Sequence, residues 1–392
     1  MSGADDSDTF RREARAWLEA NFPPSLAGDA DQGLEVMMEG RAPSPDHRLW
    51  TARMGAKGWG VPTWPQAYGG GGLTAAEAGV LAEEMARLGA HNPIVGMAVN
   101  NVGPILLELG TEDQRRRHVP PIARGERRWC QGYSEPGAGS DLASLTTRCE
   151  DAGDHWLING QKIWTSGAHH ADWCFCLVRT DPSRKQDGIS FVLVDMRQPG
   201  VEARPIRLIA GVSTFCETFF TDARVEKNDM VGPLNGGWAV AKRQLQFERT
   251  GQGRRRAEEG ADPKALARTY APEEAELRGR ILASAMESRA HALTLRRAAE
   301  EARAGGPSAA SSILKNSATR LGQEKAELAV EIMGLQGLGW GDGVVSADEL
   351  ATTRAWLRGK AGSIAGGTYE IQNNIIAKRI LGLPDGPKGG SK

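Results

Sequence analysis

Residues 156–180, WLINGQKIWTSGAHHADWCFCLVRT, decide the fold of this chain because helical segments give way to strands there. Asn159-Gly160 lies between two short runs of strand type, and this dipeptide strongly predicts a two-residue hairpin turn. Further strand candidates are GISFVLVDM (188–196), VEARPI (201–206) and CETFFTDARV (216–225). Since no helical segment of useful length interrupts these strands, we expect an antiparallel or barrel-like sheet.

Helical patterns flank the strands on both sides. DTFRREARAWLEANF (8–22) has helical periodicity, and Thr111 followed by two acidic residues predicts a helix start. After Gly236-Gly237 the segments 273–304 and 309–334 are long and helical. We therefore predict an α+β multidomain protein. It consists of an N-terminal α-helical domain (1–126), a middle β domain (127–232), a C-terminal four- or five-helix bundle (233–383) and a flexible tail (384–392).

The composition is that of a globular protein and argues against several classes of function. The formal net charge of −1 argues against general nucleic-acid binding. The acidic N-terminus lacks an apolar core, and no run of about 18 apolar residues exists, so we expect neither a signal peptide nor a membrane span. The five cysteines have no metal-like spacing, which favours free core thiols, no metal site and a cytoplasmic location.

Two loops rich in glycine and hydroxyl groups are candidates for ligand contact. YSEPGAGSDLASL (133–145) follows a predicted strand, and its glycines would let the backbone approach a flat ligand while its serines bond the polar edge. KIWTSG (162–167) adds an indole and two hydroxyls. The loop at 133–145 is either a structural turn or a ligand contact. Trp164, in the loop at 162–167, either packs in the core or stacks on a planar cofactor.

Glu248, within AKRQLQFERT (241–250), continues an apolar helical stripe that includes Trp238, Ala241 and Leu245. A carboxylate in such a place is costly to ionise without a partner. It is either one half of an ion pair with Arg243, Arg249 or a more distant residue, or a general base in a dry site.

Five stretches together resemble the acyl-CoA dehydrogenase family: GYSEPGAGSDLASL (132–145), INGQKIWTSGAHHADW (158–173), FCETFFTDARV (215–225), NGGWAVAKRQLQFER (235–249) and IAGGTYEIQNNIIAKRILGLP (364–384). The likeness extends from about Phe10 to Leu383, in the family's order. It implies non-covalent FAD, an acyl-CoA substrate, a role in lipid metabolism such as fatty acid β-oxidation, and an electron-transferring flavoprotein or a similar acceptor.

The resemblance also assigns roles to individual positions. It places Tyr133 and Ser134 on the flavin ring, with Gly139 and Ser140 in the same loop. Ser140 contacts flavin or the CoA portion. Trp164, Thr165 and Ser166 flank the isoalloxazine, with the Ser166 hydroxyl near its reactive nitrogen. Thr368 and Glu370 correspond to positions near the ribityl and phosphate groups.

The catalytic base differs between subclasses of this family. Many members carry a Glu immediately before the Gly-Thr of the C-terminal motif, where this chain has Gly366. Others place it in an L-x-x-E-R context on the first helix of the C-terminal bundle, and LQFER supplies Glu248, with Arg249 as the supporting charge. The resemblance implies that Glu248 removes the α-proton, giving a trans-2-enoyl-CoA, and that the base residue's own N–H helps to hold the thioester carbonyl. Gly366 and Gly367 leave room for a branched, bulky or long acyl group.

Two departures from the family pattern bear on assembly. The Arg-x-x-Phe-Gly segment that reaches a neighbour's FAD has no clear match, Arg268 being only a positional candidate, and Glu331 stands where Gln is common. The assembly is a homotetramer, a homodimer or a heterotetramer with a sister subunit. Two alternatives to the dehydrogenase remain: a flavin-dependent monooxygenase of the same fold, and a partner subunit of a heteromeric, steroid side-chain type of acyl-CoA dehydrogenase.

Overall fold

The computed structural model of the protein describes residues 2–28, 42–256, 261–304, 308–341 and 343–384, with side chains described except at 2–7, 248–256 and 302–303. The chain forms two compact units. The first comprises Met1–Arg207 and Ser213–Glu248, and the second Leu208–Val212 and Arg249–Lys392.

The first unit begins with helices. The side chain of Thr111 accepts a hydrogen bond from the backbone N–H of Gln114, whose own side chain accepts from the N–H of Thr111, so the predicted helix start is confirmed. Buried Leu18, Trp50 and Met54 form the centre of the core between the first helices. The helices are α1 (Ser2–Asn21), α2 (Pro45–Lys57), α3 (Ala75–Arg87), α4 (Gly103–Leu109) and α5 (Glu112–Ala123).

A single eight-stranded sheet follows, so the predicted change from helices to strands is confirmed. The order of pairing is β6-β7-β3-β2-β4-β5-β8, with β1 paired to β4. The pairs β1–β4 and β2–β4 are parallel and the others antiparallel. The strands are β1 (Trp129–Gly132), β2 (Arg148–Asp151), β3 (His155–Ser166), β4 (Trp173–Arg179), β5 (Ile189–Asp195), β6 (Val201–Ile206), β7 (Phe215–Glu226) and β8 (Met230–Val231).

The hairpin predicted at Asn159-Gly160 is wrong, because β3 runs straight through both residues. Between Ile158 and Gly160 the partner strand β7 carries one extra residue, which makes a β-bulge. The bulge holds Asp222 at φ 49°, and the side chain of Asn159 donates to the Asp222 carboxylate and accepts from its backbone N–H, both at 2.9 Å. A β-carbon at Gly160 would lie 2.7 Å from the Cα of Thr147, so glycine is required by close packing rather than by a turn.

The five cysteines are free and buried, as predicted. Cys130, Cys174 and Cys176 lie together in the core on one side of the sheet. Burial is the largest cause that raises the pKa of the Cys149 thiol, to about 12. The Cys149 thiol is therefore a packing group that stays protonated at neutral pH.

The second unit is helical, as predicted for the C-terminal bundle. Its core contains Leu277, Ile281, Leu328 and Ile332. None of the described helices has the length and apolar character needed to cross a membrane. The predicted tail lies, apart from Pro384, outside the described residues. Helix α6 (Gly237–Arg256) spans the boundary between the units, and the second unit continues with α7 (Pro263–Tyr270), α8 (Ala275–Arg303), α9 (Leu314–Met333), α10 (Ala347–Gly359) and α11 (Tyr369–Ile375).

Candidate active site

The first candidate loop begins where β1 ends. The Tyr133 ring is buried and meets Phe175 and Phe191 edge-on, with ring centroids 5.9 and 6.4 Å apart. The chain then turns back on itself, since the backbones of Glu135 and Ala138 exchange two hydrogen bonds of 3.0 Å. Residues 133–138 are therefore fixed at one end by aromatic packing and at the other by a tight turn.

A buried ion pair ties this loop to β3. The Lys162 side chain is fully buried, and its Nζ donates to Glu135 Oε1 at 2.8 Å and to the backbone carbonyl of Tyr133 at 3.2 Å. The Glu135 carboxylate also accepts from the N–H groups of Thr146 (2.6 Å) and Thr147 (2.9 Å) and from the Thr146 hydroxyl (2.9 Å). The backbone N–H of Ile163 donates to the Ser134 carbonyl at 2.9 Å. The two loops selected from the sequence are thus held together by the chain itself.

The Glu135 carboxyl is ionised throughout the physiological range. Burial alone would raise its pKa, but the charge of Lys162 and the hydrogen bonds from Lys162, Thr147 and Thr146 outweigh burial and lower it to about 2. Neither member of this pair was predicted from the sequence to be a site residue. The available signal was the alternation of β3, where Trp156, Ile158 and Lys162 fall on the same inward face.

Trp164 sits on a second β-bulge. Lys162 pairs with Thr218 and Thr165 with Cys216, so β3 has one more residue than β7 between these pairs. Trp164 adopts φ 61° there. Its indole is 55% exposed and touches Phe215 edge-on at 6.2 Å. A bulky residue in this backbone region is a strained exception of about 1–3 kcal/mol that tends to mark functional sites. Of the two interpretations of Trp164, core packing is therefore the poorer.

The neighbours of Trp164 face in different directions. Thr165 is fully buried, and its hydroxyl has no hydrogen-bond partner among the described residues. Ser166 is partly exposed, as is Ser134 on the other loop. An exposed indole with a partly exposed hydroxyl on each loop suits a flat, polar-edged ligand.

Gly139 and Ser140 lie on the exposed part of the first loop. At Gly137 and Gly139 no atom of the described residues, apart from the neighbours in sequence, lies within 4 Å of an added β-carbon, and neither glycine has positive φ. Internal packing and backbone conformation therefore do not explain these glycines, whereas a ligand approaching the backbone would. Asp141, next in the chain, is paired with Lys185 at 2.9 Å.

Helix α6 packs against the core that contains Tyr133. Val240 and Ala241 are buried in that core, and Gln244 is fully buried. Glu248 follows Gln244 by one helical turn, and the backbones of Glu248 and Arg249 lie within the helix. The side chains of both lie outside the described residues.

The C-terminal motif lies in the second unit. Gly366 and Gly367 have φ of 69° and 93°, and the Thr368 hydroxyl caps α11 by accepting from the N–H of Ile371. Glu370 is exposed in the first turn of that helix, and its own backbone N–H is the largest cause that lowers its pKa. Buried Gln372 donates to the Gly366 carbonyl at 3.0 Å, which fixes the two-glycine turn.

Glu331, one of the departures from the family pattern, is engaged within its own unit. Arg280 donates to both of its carboxylate oxygens, the Nη2–Oε2 distance being 2.7 Å. The hydrogen bond from Arg280 is the largest cause that lowers the pKa of Glu331. In contrast, no ion pair is found for Arg268, which is exposed, among the described residues.

In the part of the chain that the structure describes, no group of three or more His, Cys, Asp or Glu side chains is arranged to hold a metal ion.

Comparisons with known proteins match the chain along most of its length. Three family models match in order: the acyl-CoA dehydrogenase N-terminal domain at 4–126, the middle domain at 130–223 and the C-terminal domain at 235–381. The chain is 39% identical to acyl-CoA dehydrogenase IpdE1 of Mycobacterium tuberculosis over 393 residues, which covers 98% of this chain and all of that protein.

Solved structures of similar proteins include one that is described as a complex. The Tcur3481–Tcur3483 steroid ACAD superposes with a TM-score of 0.76 at 30% identity, covering 97% of this chain and 98% of that one. A chain of the ChsE4–ChsE5 complex from Mycobacterium tuberculosis superposes with a TM-score of 0.75 at 29% identity, with the same coverage.

Proposed function

The chain belongs to the acyl-CoA dehydrogenase family, and on that premise we propose that it is an FAD-dependent enzyme that converts an acyl-CoA thioester into a trans-2-enoyl-CoA. The observation that carries the proposal is the pair of interlocked loops at 133–138 and 162–166. They present an indole and hydroxyl groups to solvent from a strained but firmly held backbone.

These loops fit a flavin. The indole of Trp164 and the hydroxyls of Ser134 and Ser166 would hold the ring and its polar edge, and the open backbone at Gly139 would lie against the cofactor. Tyr133 would contribute through its backbone, since its ring is buried. Ser140 would contact the flavin or the CoA portion. When bound, FAD supplies the acceptor for the hydride that leaves the β-carbon. Thr368 and Glu370 would approach the ribityl and phosphate groups.

Glu248 is the proposed base for the α-proton, with Arg249 as its supporting charge. Its support is its backbone position, one turn after Gln244 and two after Ala241, both of which are buried. A carboxylate next to buried positions can have its pKa raised toward the working pH of a base.

The thioester carbonyl must be held by a group other than the N–H of Glu248. That N–H lies inside α6, where helical geometry directs it to the carbonyl of Gln244. The expectation that the base residue's own N–H serves the carbonyl therefore does not suit this subclass. A hydroxyl of the cofactor or a backbone N–H outside α6 would stabilise the developing enolate charge.

The proposed substrate carries a branched, bulky or long acyl group. Gly366 and Gly367 present no side chain at the motif where many members carry the base. The Tcur3481–Tcur3483 protein is described as a steroid ACAD, so a polycyclic acyl group belongs in the substrate panel. A preference for butyryl-CoA in that panel would contradict the proposal.

We propose that the chain works in an oligomer, with a sister subunit as the favoured partner, and delivers its electrons to an electron-transferring flavoprotein or a similar acceptor. The second unit exposes large apolar side chains to solvent, among them Leu282, Met286, Leu335 and Leu338. The Glu331 carboxylate is paired with Arg280 and lacks the N–H donors of a glutamine amide, so it would not bind a neighbour's FAD phosphates. A similar chain has been solved in the ChsE4–ChsE5 complex.

An anaerobic titration with a panel of acyl-CoAs tests the proposal through bleaching of bound flavin. The wild-type chain, Glu248→Gln and Glu248→Asp are compared, each alone and with a candidate sister subunit. We expect bleaching by at least one bulky thioester, a weak response of Glu248→Asp and none of Glu248→Gln, with FAD bound in all three.

The same titration separates the alternatives. Absence of FAD from the chain in both states favours the partner-subunit function. Bound FAD that is reduced by a nicotinamide cofactor and not by any thioester favours the flavin monooxygenase.

A further inference from the structure

The buried pair of Glu135 and Lys162 has more hydrogen bonds than an ion pair needs, and the additional ones all lead to the candidate flavin loops. Lys162 donates one hydrogen bond to the Tyr133 carbonyl, and Glu135 accepts three hydrogen bonds from Thr146 and Thr147. The pair thereby connects the start of the first loop, its end near residue 147 and the strand that carries Trp164.

Removal of either partner would leave a buried charge uncompensated, whereas removal of both would not. Comparison of the single variants with the double variant therefore separates the effect on stability from the effect on loop geometry. A neutral pair of similar volume can restore stability, but it cannot return the ammonium donor to the Tyr133 carbonyl.

We propose that Lys162 and Glu135 are positioning residues that set the geometry of the flavin-contacting backbone at Ser134 and Trp164, in addition to their contribution to stability. This inference rests on the proposed function, since it requires that these loops contact FAD. Lys162 acts on the first loop through the Tyr133 carbonyl, and its own strand neighbours Ile163 and Trp164 move with it. Glu135 fixes the far side of the same loop.

The test uses the full chain as wild type, Lys162→Met, Glu135→Gln and the double variant. Three properties are measured for each: the urea midpoint, the Kd for FAD after flavin removal, and the visible circular dichroism of bound flavin. We expect both single variants to lose stability and the double variant to regain most of it. The Kd for FAD should stay raised about tenfold in the double variant, and its flavin dichroism should stay altered.

Glu84→Gln is the matched control. Glu84 is equally buried, and its pKa is lowered to about 2 chiefly by a hydrogen bond from Arg15, helped by Arg11 and Arg87 against the effect of burial. These three arginines lie on α1 and α3, away from the flavin loops. This variant should lose stability with its Kd for FAD and its flavin dichroism unchanged.

The outcomes are distinct from those of the proposed function. Failure of the wild-type chain to bind FAD would reject the proposed function. FAD binding and dichroism that return to wild type in the double variant would reject the positioning role and leave only a structural one. Should Lys162→Met not fold, Thr146→Val retains the ion pair and removes one hydrogen bond to Glu135. A Kd for FAD and a flavin dichroism in Thr146→Val that are as unchanged as those of Glu84→Gln would then reject the proposal.

Discussion

The ionisation of Glu135 should be visible in the pH dependence of stability. Its pKa is about 2 in the folded chain, against an ordinary value of 4.5. A lowered folded-state pKa adds stability that is complete above the unfolded-state pKa and is lost as the pH falls through the folded-state pKa. The lowering of the pKa from 4.5 to about 2 contributes about 3 kcal/mol to the free energy of unfolding at pH 7.

Urea unfolding of wild type and Glu135→Gln, followed by circular dichroism at pH 7 and at about pH 3.5, measures this contribution. At about pH 3.5 the unfolded carboxyl is mostly protonated while the folded one remains ionised, so wild type has lost about 1.4 kcal/mol of the contribution. Other carboxylates titrate in both proteins and cancel in the difference. We therefore expect the gap between the two proteins to be about 3 kcal/mol at pH 7 and to narrow by about 1.4 kcal/mol.

Ile158→Val is a control without charge. Ile158 is fully buried on the same strand as Lys162, and the substitution should cost about 0.5–1.5 kcal/mol at both pH values. A gap for Glu135→Gln that stays constant, or widens, between pH 7 and about 3.5 would refute the electrostatic reasoning.

Three further predictions concern the base and the two bulges. Glu248→Gln should slow flavin reduction by the best acyl-CoA about 100- to 10,000-fold in stopped-flow measurements, and a smaller loss would argue for another base. Trp164→Gly should be more stable in urea than Trp164→Ala by about 1 kcal/mol, since both lose the indole and only alanine strains at φ 61°; equal midpoints would show that the backbone relaxes. Asn159→Ala should lower the free energy of unfolding by about 1 kcal/mol through its two hydrogen bonds to Asp222, and an unchanged urea midpoint would show that the bulge holds without them.

Local signals predicted the elements well where neighbours in sequence decide the structure. The capping residues at Thr111 act over three positions, and the apolar runs around Phe175 and Phe191 fill the two strands that pair in the sheet centre. The Asn159-Gly160 prediction failed because its partner is distant. Asp222 on β7 binds the Asn159 side chain, and Thr147 leaves no space for a β-carbon at residue 160. Long-range packing overrode the turn preference of the dipeptide.

The sequence predicted the two loops of the candidate site, but not that they contact each other. Sequence spacing gave Ser134 and Trp164 separately, and it could not show that the carbonyl of Ser134 accepts from the residue before Trp164. Lys162 was not predicted as a site residue because a lysine in a strand is usually solvated. Only the pairing with Glu135 makes its burial understandable. The roles of Glu248 and of the motif at Gly366 stay predictions.

The bulge at Trp164 decides on which face of the sheet the indole lies. In a regular strand, residues 162 and 164 would share a face, and the indole would point into the core beside the lysine. One extra residue reverses the alternation, so that Thr165 takes the inner place and the aromatic ring turns outward. Lengthening β7 by one residue between Cys216 and Thr218 would give both strands the same number of steps, and the ring of Trp164 would then share the inner face with Lys162. The outward aromatic surface is thus a product of residue count, and a substitution scan that preserves length would never reveal it.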